Sequence, residues 1–246
     1  MNYLNLSRLI CLCTLAMLIP HLSHGQQQVI TGAEKAAGWH SLFNGLNTSN
    51  WKGYNREEVP SEWKIADGVI SFNPENNADN RPKDLVSKET FKDFDLSLEW
   101  KISQNGNSGI LFNVVENPAY AEPYMSGFEM QILDNDGHPD GKIEKHRAGD
   151  LYDLIKSTSE PVKPVGQWNH IRVLSKKGHY TFFMNGVKIN GFQMHDASWN
   201  KLVAGSKFKL GLNLASQLRV KLYFRRMGIR CFSEPLRFAD YHKQER

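Results

Sequence analysis

The stretch "DLSLEWKI" alternates without a fault: Leu96, Leu98, Trp100 and Ile102 fall on one side of an extended chain, Asp95, Ser97, Glu99 and Lys101 on the other. A period of two describes a strand with one face in a core and the other in water; a helix would scatter both sets around its surface. The signal recurs at short intervals. "EWKIADGVISF" reads as two strands around an Asp67–Gly68 turn, and "HYTFFMNGVKI" as two around Asn185–Gly186. Both dipeptides tolerate the positive φ values of tight hairpins. "SGILFNVVE", "GFEMQILD" and "WNHIRVLS" add three more β-rich runs. Long helical periodicity is absent, so "HRAGDLYDLI" and "SWNKLVAGSKF" are expected to give single helical turns at most, or irregular loops. Many short strands without an internal repeat or a linker predict one all-β domain, a sandwich of two antiparallel sheets or a jelly roll.

The two ends of the chain break this pattern. In residues 1–25, Arg8 precedes the apolar run "LICLCTLAMLIP", and Ser23 and Gly25 offer small residues before Gln26. That arrangement predicts a cleaved secretory signal peptide, with an apolar run too short for a stable bilayer anchor. The expected location is periplasmic or secreted, with no membrane anchor after cleavage. Residues 26–35 read as a short leader and 36–209 as the domain. The net charge of +4 invites a nucleic-acid partner, but residues 26–209 carry 21 basic and 23 acidic side chains. The excess is confined to residues 210–246, with 8 basic against 3 acidic, so no nucleic-acid surface is expected of the domain. Cys231, in that tail, is the only cysteine outside the predicted signal peptide.

Blocks spread over the domain resemble one family. "GWHSLFNGLNTSNWKGY", "WKIADGVISF", "DFDLSLEWKISQNGNSGILFNVVE", "GFEMQILDNDGHPD", "HRAGDLYDLI" and "GQWNHIRVLSKKGHYTFFMNGVKI" are similar to the 3-keto-disaccharide hydrolase domain. The resemblance runs from about Gly38 to Lys209. It implies a concanavalin A-like jelly roll of exported bacterial proteins, and cleavage of glycosides already oxidised to a ketone at C3. A separate nicotinamide sugar dehydrogenase would supply such a substrate.

If "GFEMQILD" is a strand, Glu129 and Gln131 project side by side from one face. An ordinary solvent-facing pair is the plain alternative, and the resemblance favours a catalytic Glu129. Two carboxylates on one strand face, as in a jelly-roll glycosidase acting on unoxidised glycans, are missing, because Gln131 and Leu133 occupy the next places and Asp134 has the opposite parity. A 3-keto sugar needs no such pair: its ketone acidifies the C2 hydrogen, so one base, one acid and donors near the ketone oxygen suffice. Glu129 and His146 are the catalytic candidates, with acid and base left open between them. Gln131, Asn107, Arg147, Tyr152 and Trp168 are candidate substrate contacts, the aromatic pair by stacking on a pyranose. Arg147 can alternatively pair with Asp150. A non-catalytic carbohydrate-binding jelly-roll module is the alternative function.

"DNDGHPDG" places Asp134, Asp136 and Asp140 at close spacing, but His138 breaks the EF-hand register, so a polar turn is the simpler reading and a divalent cation the secondary one. No cofactor is expected otherwise. The tail is the last expectation. The family pattern continues with segments like W-P-x-F, L-Q-D-H-G-D and a final strand like V-x-F-R-N-I-x-I-R, and the tail as written is read as showing none of them. In another frame its codons can spell Trp-Pro-x-Phe near Leu210. From Arg226–Met227 they can also spell His-Gly-Asp-Lys-Val-Phe-Phe-Arg-Thr-Val-Thr-Ile-Arg. Residues 210–246 are therefore expected to be frame-shifted, with the last strand lost or replaced and activity impaired.

Overall fold

The computed structural model describes residues 30–74 and 81–209, and describes residues 210 and 222–231 as backbone. The chain is built from antiparallel strands. One sheet has the order β11 (Val187–Gln193), β10 (His179–Met184), β9 (Asn169–Lys176), β6 (Phe94–Ile102), β12 (Leu222–Cys231), β4 (Val69–Phe72), β3 (Trp63–Ala66). The short β1 (Trp39–Ser41) shares the β4 side of β12, pairing with residues Gly228–Arg230. Opposite lie two ribbons, β2 (Trp51–Gly53) with β5 (Leu85–Ser87), and β7 (Asn107–Phe112) with β8 (Phe128–Leu133).

The expected alternation holds in β6. Leu96, Leu98, Trp100 and Ile102 are buried, and Ser97, Glu99 and Lys101 are half-buried on the other face. Both hairpins form where expected, with Asp67 and Gly68 at φ 51° and 72° and Asn185 and Gly186 at 50° and 81°. Two positive φ values in succession are the backbone of the hairpin turn that matches strand twist. One expectation is corrected. "SWNKLVAGSKF" begins with a two-turn helix, α2 (Ala197–Ala204), because Asp196 accepts from the Trp199 N–H at 2.7 Å and Trp199 is buried. A helix of five residues, α1 (Gly32–Ala36), starts at a Thr31–Glu34 capping box within the segment read as a leader.

The final-strand place is filled by the tail's own residues. Leu222–Cys231 pairs with β6 on one side and with β4 and β1 on the other, with an irregularity between Arg225 and Gly228. The sheet is therefore not left open there. In the written frame Phe224, Arg225, Ile229 and Arg230 fall at the spacing of V-x-F-R-N-I-x-I-R, with Leu222 and Met227 at its other apolar places. That match escapes a search anchored on the histidine segment, because the written chain has no histidine between His195 and His242. Residues 211–221 and those after 231 lie outside the described residues.

The ribbon β7–β8 is clamped to the large sheet by aromatic packing. Phe112 and Phe128 meet Tyr180, with centroids at 6.0 and 5.0 Å, and Phe128 meets Phe192 and Trp199 at 5.5 and 5.7 Å. All five are buried. Each contributes about 1.5–3 kcal/mol by burial, enough to hold the opposite face of the ribbon at a fixed height.

Candidate active site

Phe128, Met130 and Ile132 point from β8 into this core, so Glu129 and Gln131 share the face turned away from it, as the sequence parity requires. The loop after β8 returns along the strand. Met130 bridges Leu151 in antiparallel fashion, and the Tyr152 N–H donates to the Glu129 carbonyl at 2.9 Å. That register sets Tyr152 directly across from Glu129 and on the same face. On the other flank Leu111 is its partner, and Gly109 lies one diagonal away. The Glu129 carboxylate lies over Gly109, where a Cβ would collide with its Oε1. Glycine is thus required there for close approach, not for a turn.

Burial pushes the Glu129 carboxyl up to about 8; the negative charges of Asp84 and Asp140 add to the rise and Lys207 opposes it. The carboxylate makes no hydrogen bond among the described residues. His146 is buried, with Nε2 3.4 Å from Asp153 Oδ1 and Nδ1 3.8 Å from Asp140 Oδ2. Its ring centroid lies 4.2 Å from that of Tyr152. The Tyr152 hydroxyl donates to Asp140 Oδ2 at 3.4 Å, and burial raises its pKa far above the usual phenol value. Asp153 adopts φ 62° and donates its N–H to the Lys145 carbonyl; this left-handed turn aims one carboxylate at both His146 and Lys207. Glu129, Tyr152 and His146 are therefore one cluster, joined by Asp140, Asp153 and Lys207.

Other candidates fall elsewhere. Gln131 is buried and donates its Nε2 to Asn107 Oδ1 at 3.2 Å, so the two expected contacts stand together; the Gln131 Oε1 is buried without a partner. The Arg147 guanidinium does not pair with Asp150. It forms a fork on Glu160 at 2.8 and 2.8 Å and donates to the Gly141 carbonyl, so its donors are committed to the loop rather than to a ligand. Asp150 instead accepts from the Arg147 and Ser157 N–H groups. Trp168 lies by Lys101, whose Nζ is 5.1 Å from the ring centroid, on the face of β6 turned away from the core; it is not brought to Glu129. In the aspartate loop, Asp134 accepts the N–H groups of Asn105, Asp136 and Gly137, the geometry of a polar turn. Among the described residues no group of three His, Cys, Asp or Glu could hold a metal ion. Asp136 acts on Arg147, and Asp140 belongs to the Glu129 cluster.

Two members were missed in the sequence. Asp84 precedes β5, is half-buried with its carboxyl raised by burial, and faces Glu129 electrostatically from the other ribbon. Lys207 follows α2 and reaches the Tyr152 ring, 3.8 Å from its centroid. Neither sits in a motif; both arrive by long-range packing.

The model of the 3-keto-alpha-glucoside-1,2-lyase-like domain family matches residues 38–230, which takes in the last strand up to Arg230. The chain belongs to this family. A curated relative from Bacteroides thetaiotaomicron, named 3-keto-disaccharide hydrolase, is 35% identical over 187 residues, or 70% of this chain. The match spans 64% of that relative's length. A candidate glycosyl hydrolase from Parabacteroides distasonis superposes with a TM-score of 0.73 at 30% identity, covering 84% of this chain and 99% of that one. A second from the same organism gives 0.60 at 22% identity, over 79% and 99%, and shows the shared fold. The all-β sandwich read from the alternation is the fold of this family.

Proposed function

We propose that the chain is an exported carbohydrate-active enzyme that breaks the glycosidic bond of sugars carrying a ketone at C3. Glu129 is the base that removes the C2 proton; His146 is the acid that protonates the leaving oxygen. The observation that carries this reading is the Glu129 carboxyl, raised to about 8 by burial and held over Gly109 without a hydrogen-bonded partner. A carboxylate of raised pKa is a stronger base, and a pKa near the working pH is what general base catalysis requires. The relative named for 3-keto-disaccharides supports the substrate class. Such an enzyme consumes what a separate nicotinamide sugar dehydrogenase produces.

The test is incubation with a 3-keto-disaccharide and its unoxidised parent, watched for released monosaccharide. Release is expected from the oxidised sugar alone, reduced about 10²–10⁴-fold in Glu129→Gln. Equal turnover of both sugars, or a fully active Glu129→Gln, would remove the proposal. Glycan binding without turnover would point to a binding module instead.

A further inference from the structure

We propose that Lys207 is the cation that receives the substrate's ketone oxygen and holds the negative charge created there when Glu129 takes the C2 proton. This deepens the function proposed above and rests on it. Lys207 begins the short turn Lys207–Leu210 after α2. Its backbone N–H donates to Asp153 Oδ2 at 3.0 Å, while Oδ1 of the same carboxylate stands 3.4 Å from His146 Nε2. One side chain thus fixes the Lys207 main chain relative to the proposed acid. The ammonium rests 3.8 Å from the Tyr152 ring centroid, and Tyr152 sits across from Glu129 in the sheet register. Among the described residues Lys207 is the one cation whose charge acts on Glu129.

Burial lowers the Lys207 pKa below its ordinary value, while Asp153, Glu129 and Asp140 oppose that shift and the aromatic face accepts the charge. A cation held by its main chain and seated on an aromatic platform is preorganised for charge that develops during reaction. In the step, the Glu129 carboxylate takes the C2 proton, the C2–H pair becomes the C2=C3 bond, and the carbonyl π pair moves to the oxygen facing Lys207. As the oxygen pair re-forms the C3 carbonyl, the C2=C3 pair becomes C1=C2, the C1–O pair leaves on the departing oxygen, and that oxygen takes a proton from His146. Lys207 keeps its protons throughout.

The experiment compares the full chain with Lys207→Met and Lys207→Arg on a 3-keto-glucoside and on the same sugar deuterated at C2. For Lys207→Met, kcat is expected to fall about 10²–10³-fold. Its C2 isotope effect should be at least as large as that of the unaltered chain. Lys207→Arg should regain at least about a tenth of the lost rate, since a cation is kept, with melting temperatures unchanged. A loss below about tenfold, an isotope effect that vanishes, or equal losses in both variants that follow a drop in melting temperature would overturn the assignment and leave Lys207 as packing for Tyr152. An unaltered chain that releases nothing would remove the underlying function, and Lys207's part with it.

Discussion

The outward face of the large sheet and the surroundings of the β7–β8 ribbon use their polar side chains in opposite ways. On the face of the large sheet turned away from the core, Arg172 grips the fully buried Asp95 with two bonds of 2.8 Å. Ser97 meets His170 Nε2 at 2.8 Å, and Lys101 covers Trp168. Each of these groups is matched to a neighbour. Around the β7–β8 ribbon the matching is left incomplete: Gln131 Oε1, His138 Nε2, His146 Nδ1 and Ser157 Oγ are buried without a hydrogen-bond partner among the described residues, and Glu129 lies over a glycine. Unmatched buried polar atoms cost about 1–3 kcal/mol each unless water or a ligand supplies the partner, which makes their clustering a mark of a site that can take one. The matched face is architecture; the unmatched one is where chemistry is expected.

Three changes test that division, beginning with the largest. Arg172→Met removes the two-bond guanidinium fork from the buried Asp95 carboxylate, and is expected to cost about 3–5 kcal/mol in chemical denaturation. Turnover per folded molecule of a 3-keto-disaccharide should stay within about twofold, a difference worth under 1 kcal/mol of barrier. A large loss of turnover at full stability would break the division, because the matched face would then be serving the reaction. Gly109→Ala works from the other side. Its methyl would occupy the place of the Glu129 carboxylate. Turnover should fall about 10–100-fold from misplacing the base, against a stability loss of about 1–3 kcal/mol from crowding. An unchanged rate would show that the close approach of Glu129 to residue 109 is incidental.

Much of this division was legible in residue order. The parity of "GFEMQILD" placed Glu129 and Gln131 on one face because a strand leaves no other choice, and Asp-Gly and Asn-Gly marked both hairpins because few other pairs accept two positive φ values. Asp84 and Lys207 were not legible. They lie about 45 and 80 residues from Glu129 along the chain, and only sheet packing brings their charges to it; nothing local marks either. Arg147 and Trp168 were read from residue type, and their settings come from packing: the Arg147 guanidinium is held by Glu160, and Lys101 lies over the Trp168 ring. The tail shows how a single anchor misdirects. Without the expected histidine, "LYFRRMGIR" passed unread as a strand, yet its backbone completes the large sheet. A frame change nonetheless stays a proposal for the missing histidine segment, which the gene's own codons would settle.

The smallest effect is the most direct reading of the unmatched face. Glu129 has an ordinary pKa of 4.5 and one of about 8 in the folded chain. Between those values the native state keeps a proton that the unfolded state releases, so stability falls as pH rises from 4.5 and levels off above 8. Glutamine cannot release that proton. The gap between the unaltered chain and Glu129→Gln should therefore widen with pH in the variant's favour, by about 1–3 kcal/mol between pH 5 and 8, once solvent screening of this half-buried group is allowed for. Urea titrations of both proteins across that range measure the gap. A constant gap would mean that the carboxylate is well solvated and poised like any surface glutamate. It would then be as matched by water as Asp95 is by Arg172, and the contrast between the two faces would lose its chemical meaning.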